Sequence, residues 1–181
     1  MPPRTHTART TALLLSAVIV AGGLTGCSLL SPTTCEGTDA LMKELESLPL
    51  LSSPPPGATP PTKSDATFSE CADDSGDAYL SASRSYVYAG TRQEVLDHFR
   101  RAAEADGWRY EPNPMPDMRQ YNSCFTRGAD GEAKELRVFF VKPDQITESY
   151  GPDAGREFAT GAGFEVTVGA DVNGAAGSCW G

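Results

Sequence analysis

The sharpest periodicity in the chain lies in TRQEVLDHFRRAAEADGW, where Val95, Leu96, Phe99, Ala102 and Ala103 fall on one stripe of a 3.6-residue repeat. Thr91 and Glu94 have the S/T-x-x-E spacing of a capping box, in which each side chain satisfies an orphan N–H of the first turn. Asp97 with Arg101, and Arg100 with Glu104, are oppositely charged pairs one turn apart on the wet side. Gly107 is placed for a left-handed C-terminal cap, with Trp108 beyond it to pack back on the last turn. The pattern predicts a long helix opening at Thr91 and closing at Gly107.

Elsewhere the period changes to two. In AYLSASRSYVYAG, Leu80, Ala82, Tyr86 and Tyr88 share a face interrupted only by Arg84. In Gly163 to Val172, Phe164, Val166, Val168, Ala170 and Val172 alternate with Glu165, Thr167, Gly169 and Asp171, which predicts a strand with one dry and one wet face. LRVFFV, within a strand from Glu135 to Val141, is apolar on both faces, as a central strand is. A fourth strand is expected from Trp108 to Thr126, broken by the loop PNPMPDM, with RGADGEA as its hairpin connection to the third. Leu41, Leu45 and Leu48 at helical spacing add a short helix, Thr38 to Ser47, stopped by Pro49. The expected fold class is α+β. It is a four-stranded, mostly antiparallel sheet in the order β-α-β-β-β, with one long and one short helix on one face, forming a single domain over residues 35–181. The six prolines between Pro49 and Pro61 make segment 49–62 a semi-rigid connector over that domain's surface.

One apolar run fits neither period. MPPRTHTART carries Arg4 and Arg9 and no acid, and TALLLSAVIVAGG follows from Thr11 to Gly23, short of the roughly 20 residues that a helix needs to cross hydrocarbon. That is the layout of a secretory signal. The arginines are not adjacent, so export by the general secretion route is expected. Leu24-Thr25-Gly26-Cys27 closes the segment with an aliphatic residue, two small ones and a cysteine.

These residues resemble the lipobox of bacterial lipoproteins, and with the composition below the chain is similar to the small lipobox lipoproteins of actinobacteria. The resemblance implies a signal peptide over residues 1–26, lipidation of Cys27, a lipidated tether over residues 27–34, and a protein held on the outer face of the cytoplasmic membrane. The partner it implies first is therefore the lipid bilayer, through acylated Cys27. It implies no activity for the domain. One acyl chain anchors only marginally, while two or three on one cysteine hold a protein for its lifetime.

Composition follows from that cleavage. Losing Arg4 and Arg9 takes 15 basic residues to 13 against 24 acidic ones, and the net charge from −9 to −11. Such a chain is no nucleic-acid binder, which wants clustered Lys and Arg, and its acyl chains must anchor it without help from anionic headgroups. The 11 Arg against 4 Lys fit a GC-rich genome. With Cys27 acylated, Cys35, Cys71, Cys124 and Cys179 remain, an even number in an oxidising compartment, and two disulfides are expected. No C-x-x-C pair supports a zinc site. Of the three connectivities, Cys71 with Cys124 and Cys35 with Cys179 is preferred, because the first pair flanks sheet strands and the second ties both chain ends to the domain.

Catalytic chemistry finds little support. His98, the one histidine after the leader, sits at the edge of the helix's polar face beside Glu94 and Arg101, where it reads as a solvated helix residue. G-x-S-x-G, S-x-x-K and H-E-x-x-H are absent. Asp73, Ser75 and Asp77 in CADDSGD resemble the opening of a calcium loop. The position that needs a bidentate Glu is Arg84, so the stretch reads as an acidic turn. No residue is assigned a catalytic, cofactor-binding or metal-binding role. The expected function is a membrane-anchored extracytoplasmic lipoprotein acting as a non-catalytic binding or accessory module. The alternative is a cell-envelope hydrolase or transferase working through carboxylates that look like surface acids. For a protein or small-molecule partner, the surface expected is the loop Pro143 to Ala162 with Tyr150 and Phe158, together with Tyr86, Tyr88, Trp108 and Tyr110. Among these aromatics, Trp108 and Tyr86 are expected in the core.

Overall fold

The computed structural model of the chain describes residues 34–61, 67–74, 77–129, 132–141, 162–175 and 179–180. The leader, Cys27, the tether up to Thr33 and most of the 143–162 loop lie outside the described residues. The helices α1 (Asp39–Glu46) and α2 (Arg92–Ala105) accompany six strands. These are β1 (Phe68–Asp74), β2 (Asp77–Tyr88), β3 (Arg109–Glu111), β4 (Asn122–Arg127), β5 (Lys134–Phe140) and β6 (Ala162–Asp171). They form one sheet in the order β1-β2-β6-β5-β4-β3, with every neighbouring pair antiparallel.

The α+β class holds, but the sheet has six strands where four were expected. The stretch from Trp108 to Thr126 is two strands, not one. Its loop holds a 3-10 turn, Pro116–Met118, and reverses the chain so that β3 pairs back on β4. The acidic stretch CADDSGD belongs to a hairpin whose first arm, FSECADD, is an edge strand with Asp74 opposite Asp77.

Local chemistry sets α2 as its sequence suggests. The Thr91 hydroxyl accepts from the Glu94 N–H, and the Glu94 carboxylate accepts from the Thr91 N–H at 2.7 Å. At the other end Gly107 takes φ +79°, and Gly107 and Trp108 donate to the carbonyls of Glu104 and Ala103 at 3.1 and 2.9 Å, the paired bonds of a Schellman cap. The Arg127 guanidinium lies 4.6 Å over the Trp108 ring and closes that end.

Both helices cover the same side of the sheet. Leu45 of α1 and Val95, Phe99 and Ala103 of α2 pack on Leu80, Ala82, Tyr86, Phe125, Leu136, Val138, Phe164, Val166 and Val168, one contiguous core. Phe164 is its centre, stacked on Tyr86 at 5.4 Å and edge-on to Phe99 at 5.9 Å. Trp108 and Tyr86 are buried, and the Tyr86 hydroxyl donates to the Leu51 carbonyl at 2.5 Å. The proline-rich segment is more than a surface strap. Leu50, Leu51, Pro55 and Pro61 are buried, and Thr59 exchanges two backbone hydrogen bonds with Val87.

Two disulfides form, with pairing different from the one preferred on sequence: Cys35 with Cys71, and Cys124 with Cys179, each at 5.9 Å between Cα atoms. The reason is the strand order. Cys71 lies on edge strand β1 and Cys124 on β4, four strand spacings away, or about 19 Å, beyond the reach of any disulfide. Their side chains also face opposite sides of the sheet. Cys71 lies opposite core residue Leu80, whereas Cys124 lies opposite Arg137 on the uncovered side.

Candidate functional site: the uncovered face of the sheet

Because the described helices take one side, the alternate residues of every strand line the other, which no helix covers among the described residues. The register sets them in rows across the sheet. One row runs Phe68, Ser83, Thr167, Arg137, Cys124, Glu111. Beside it on one flank runs Ser85, Glu165, Phe139, Asn122, and on the other Glu70, Ser81, Gly169, Glu135, Thr126, Arg109. These are the positions that sequence alternation marks merely as wetted. Serines on β2 and glycine and threonine on β6 make a low floor between the bulkier Phe68 on β1 and Arg137 and Phe139 on β5.

Two hollows follow. The first, about 430 Å³, lies over β4 and β5 between Asn113, Met115, Asn122 and Trp180. The second, about 250 Å³, lies over β2 and β6 between Phe68, Tyr79, Ser83, Glu165 and Thr167. Arg137 and Phe139 line both and form the ridge between them. Trp180 lies on this face beside Cys179, which its bond to Cys124 ties to β4. Its indole N–H donates to the Glu111 carbonyl at 3.3 Å.

A buried tie braces the floor. Tyr79 on β2 reaches across β6 to donate its hydroxyl to Glu135 on β5. It can do so because residue 169 has no side chain: a Cβ there would stand 1.8 Å from the phenol oxygen and 2.4 Å from Cζ. Glu135 is only 2 % exposed, and its second partner is Arg137, whose Nη2 contacts the two carboxylate oxygens at 2.9 and 3.0 Å. Burial, and then the Glu135 carboxylate as acceptor and negative neighbour, push the Tyr79 phenol far above its usual range, so it stays protonated at every ordinary pH.

Glu165 is the other ionisable group set into the floor. Burial raises its carboxyl above the usual range. Hydrogen bonds from Ser83 and Thr167 partly offset this, and the nearby charge of Glu70 reinforces it. Along the strands Glu165 and Glu135 are four register positions apart, about 14 Å between Cα atoms, and Glu135 is committed to Tyr79 and Arg137. Cys124, Glu135 and Cys179 place three donor atoms within 4.8 Å of one another, but the two sulfurs are bonded to each other and are spent as metal ligands.

The residues singled out on sequence lie elsewhere. His98 hydrogen-bonds the Ser53 carbonyl at 2.8 Å and ties α2 to the proline-rich segment. Tyr110 lies under the Arg100 guanidinium at 4.3 Å, and Tyr88 packs against the core. Cys27 and residues 143–161 are outside the described residues, and Ala162 is the first residue of β6. The one sequence signal for the uncovered face is Gly169, since a glycine inside a strand marks a close approach by another group. Comparison with protein-family models, with curated proteins and with solved structures gives no match for this chain.

Proposed function

We propose that the protein is an exported lipoprotein, acylated at Cys27 and held on the outer face of the cytoplasmic membrane, where it acts as a non-catalytic binding or accessory module through the uncovered face of its sheet. The observation that carries this reading is the one-sided packing. All described helices lie on one side, while the other keeps two adjoining hollows with aromatic walls and a braced polar floor. Two disulfides support an oxidising compartment. The leader supports the route, and the lipobox the anchor.

The second reading, a cell-envelope hydrolase or transferase, draws on Glu165, whose raised carboxyl would suit a general acid, and on Glu70, a second carboxylate lining the same hollow. Paired-carboxylate hydrolysis needs two carboxyl groups free to act on one bond, and Glu135 is engaged by Tyr79 and Arg137.

Two measurements test the proposal. Intact mass of the native protein is expected to show a chain starting at Cys27 with acyl mass added; an unmodified thiol there, or another start, removes the anchor. Cell envelopes stripped of their bilayer with detergent, where acyl chains give no hold, are expected to retain the mature chain, and Phe139→Asp to abolish retention while Arg101→Glu on the helical side leaves it intact. Equal retention of all three proteins would refute the sheet face as the binding surface.

A further inference from the structure

We infer that the trough across the uncovered face takes a neutral carbohydrate chain, an inference that rests on the reading of this face as the binding surface. Shape is the first ground. The two hollows share the Arg137 and Phe139 wall, so they are consecutive stations of one trough running from Phe68 on β1 to Trp180 beside β4. Five strands at the usual spacing make that about 19 Å, the length of an oligomer and more than a single small molecule needs.

The second ground is the alternation of chemistry along it. Phe68, Phe139 and Trp180 place an aromatic ring at each end and one in the middle, and the intervals hold groups that exchange single hydrogen bonds, Ser83, Thr167 and Asn122. A sugar chain presents the same alternation, with C–H faces that cover rings and hydroxyls that both donate and accept. Trp180 is held in advance by the disulfide at Cys179 and by its bond to Glu111, so little side-chain freedom is lost when its ring is covered.

Charge decides between kinds of chain. Among the described lining residues the one cation is Arg137, and it is already paired to buried Glu135. Glu70 and Glu165 leave the trough acidic, which repels phosphate- or carboxylate-bearing polymers. Glu165 is set among the hydroxyls of Ser83 and Thr167, and its carboxyl oxygens accept hydrogen bonds from hydroxyl groups. The rings and hydroxyls that separate these acids suit a neutral polyol better than a chain of fixed cations.

The test uses the full mature chain in micelles of a sugar-free detergent, titrated with cellohexaose, maltohexaose and chitohexaose, with hexalysine as the cationic control. Binding is read by tryptophan fluorescence and calorimetry. At least one hexaose is expected to bind saturably, with Kd roughly between 10 μM and 1 mM, and Phe139→Ala and Trp180→Ala each to weaken it by about tenfold. Thr167→Val, which keeps the volume and removes the hydroxyl, is expected to weaken it about fivefold with an unchanged circular dichroism spectrum. Failure of all three hexaoses at about 10 mM, or tighter binding of hexalysine than of every glycan, overturns the inference. If bilayer-stripped envelopes retain the wild-type chain while no hexaose binds, the carbohydrate assignment alone fails; if retention is also indifferent to Phe139→Asp, the face itself is the wrong surface.

Discussion

Gly169→Ala probes the tie that braces the floor of the trough. The new methyl would stand 1.8 Å from the Tyr79 hydroxyl, so the phenol must lift off β6 and release Glu135. A hydrogen bond to a buried carboxylate is worth about 1.5–3 kcal/mol, and replacing a strand glycine by alanine returns roughly 0.5–1 kcal/mol. The net loss is therefore about 1–2 kcal/mol, a fall of about 1 M or less in the urea midpoint with disulfides intact. Tyr79→Phe, which removes only the oxygen, is expected to cost about 1.5–3 kcal/mol. In a Tyr79→Ala background the phenol is gone, and the remaining close neighbour of the added methyl is the Leu80 carbonyl oxygen at 3.1 Å. There Gly169→Ala is expected to be nearly neutral, the strain at Leu80 cancelling the gain in chain entropy. Urea unfolding at pH 7 of wild type, Gly169→Ala, Tyr79→Ala and the double variant, followed by fluorescence, gives the coupling directly. A Gly169→Ala protein within about 0.5 kcal/mol of wild type, or an equal cost in both backgrounds, would refute the tie.

Burial raises the phenols of both Tyr79 and Tyr86, so two of the six tyrosines are expected to resist ionisation in a 295 nm titration until the protein unfolds. Stability they contribute is complete below the ordinary phenol range near pH 10 and is lost as pH rises through their folded values; six tyrosines titrating together would contradict this. Glu165 also binds its proton more tightly folded than unfolded, so stability from that proton is present below about pH 4 and lost as pH rises. Glu165→Gln, neutral throughout, is expected to be more stable than wild type at pH 7 and to lose that margin in acid; a variant less stable at pH 7 would contradict the assignment. Non-reducing peptide mapping is expected to recover Cys35 with Cys71 and Cys124 with Cys179, and Cys124→Ser with Cys179→Ser to cost about 4 kcal/mol from the 55-residue separation. A Cys71–Cys124 peptide would contradict the strand order.

What could be read from sequence was local. The box at Thr91 and Glu94, the cap at Gly107 and the alternation from Phe164 to Ala170 each depend on residues a turn or two apart, and each forms as its spacing suggests. β1 escaped because it is an edge strand whose exposed residues, Phe68, Glu70, Ala72 and Asp73, show no dry and wet alternation. The split of β3 from β4 escaped because their pairing depends on a reversal after Pro112, which alternation does not report. Disulfide connectivity and the trough are properties of strand order. Tyr79, Glu135 and Gly169 are far apart along the chain and meet only because β6 lies between β2 and β5.

Oxidative footprinting of the protein, free in micelles and bound to isolated cell envelopes, tests most directly whether the uncovered face is the working surface. Phe68, Phe139 and Trp180 are expected to lose reactivity on the envelope, while Leu41, Met42 and His98 on the helical side keep theirs. Unchanged labelling of the three rings, or protection confined to the helical side, would contradict the account.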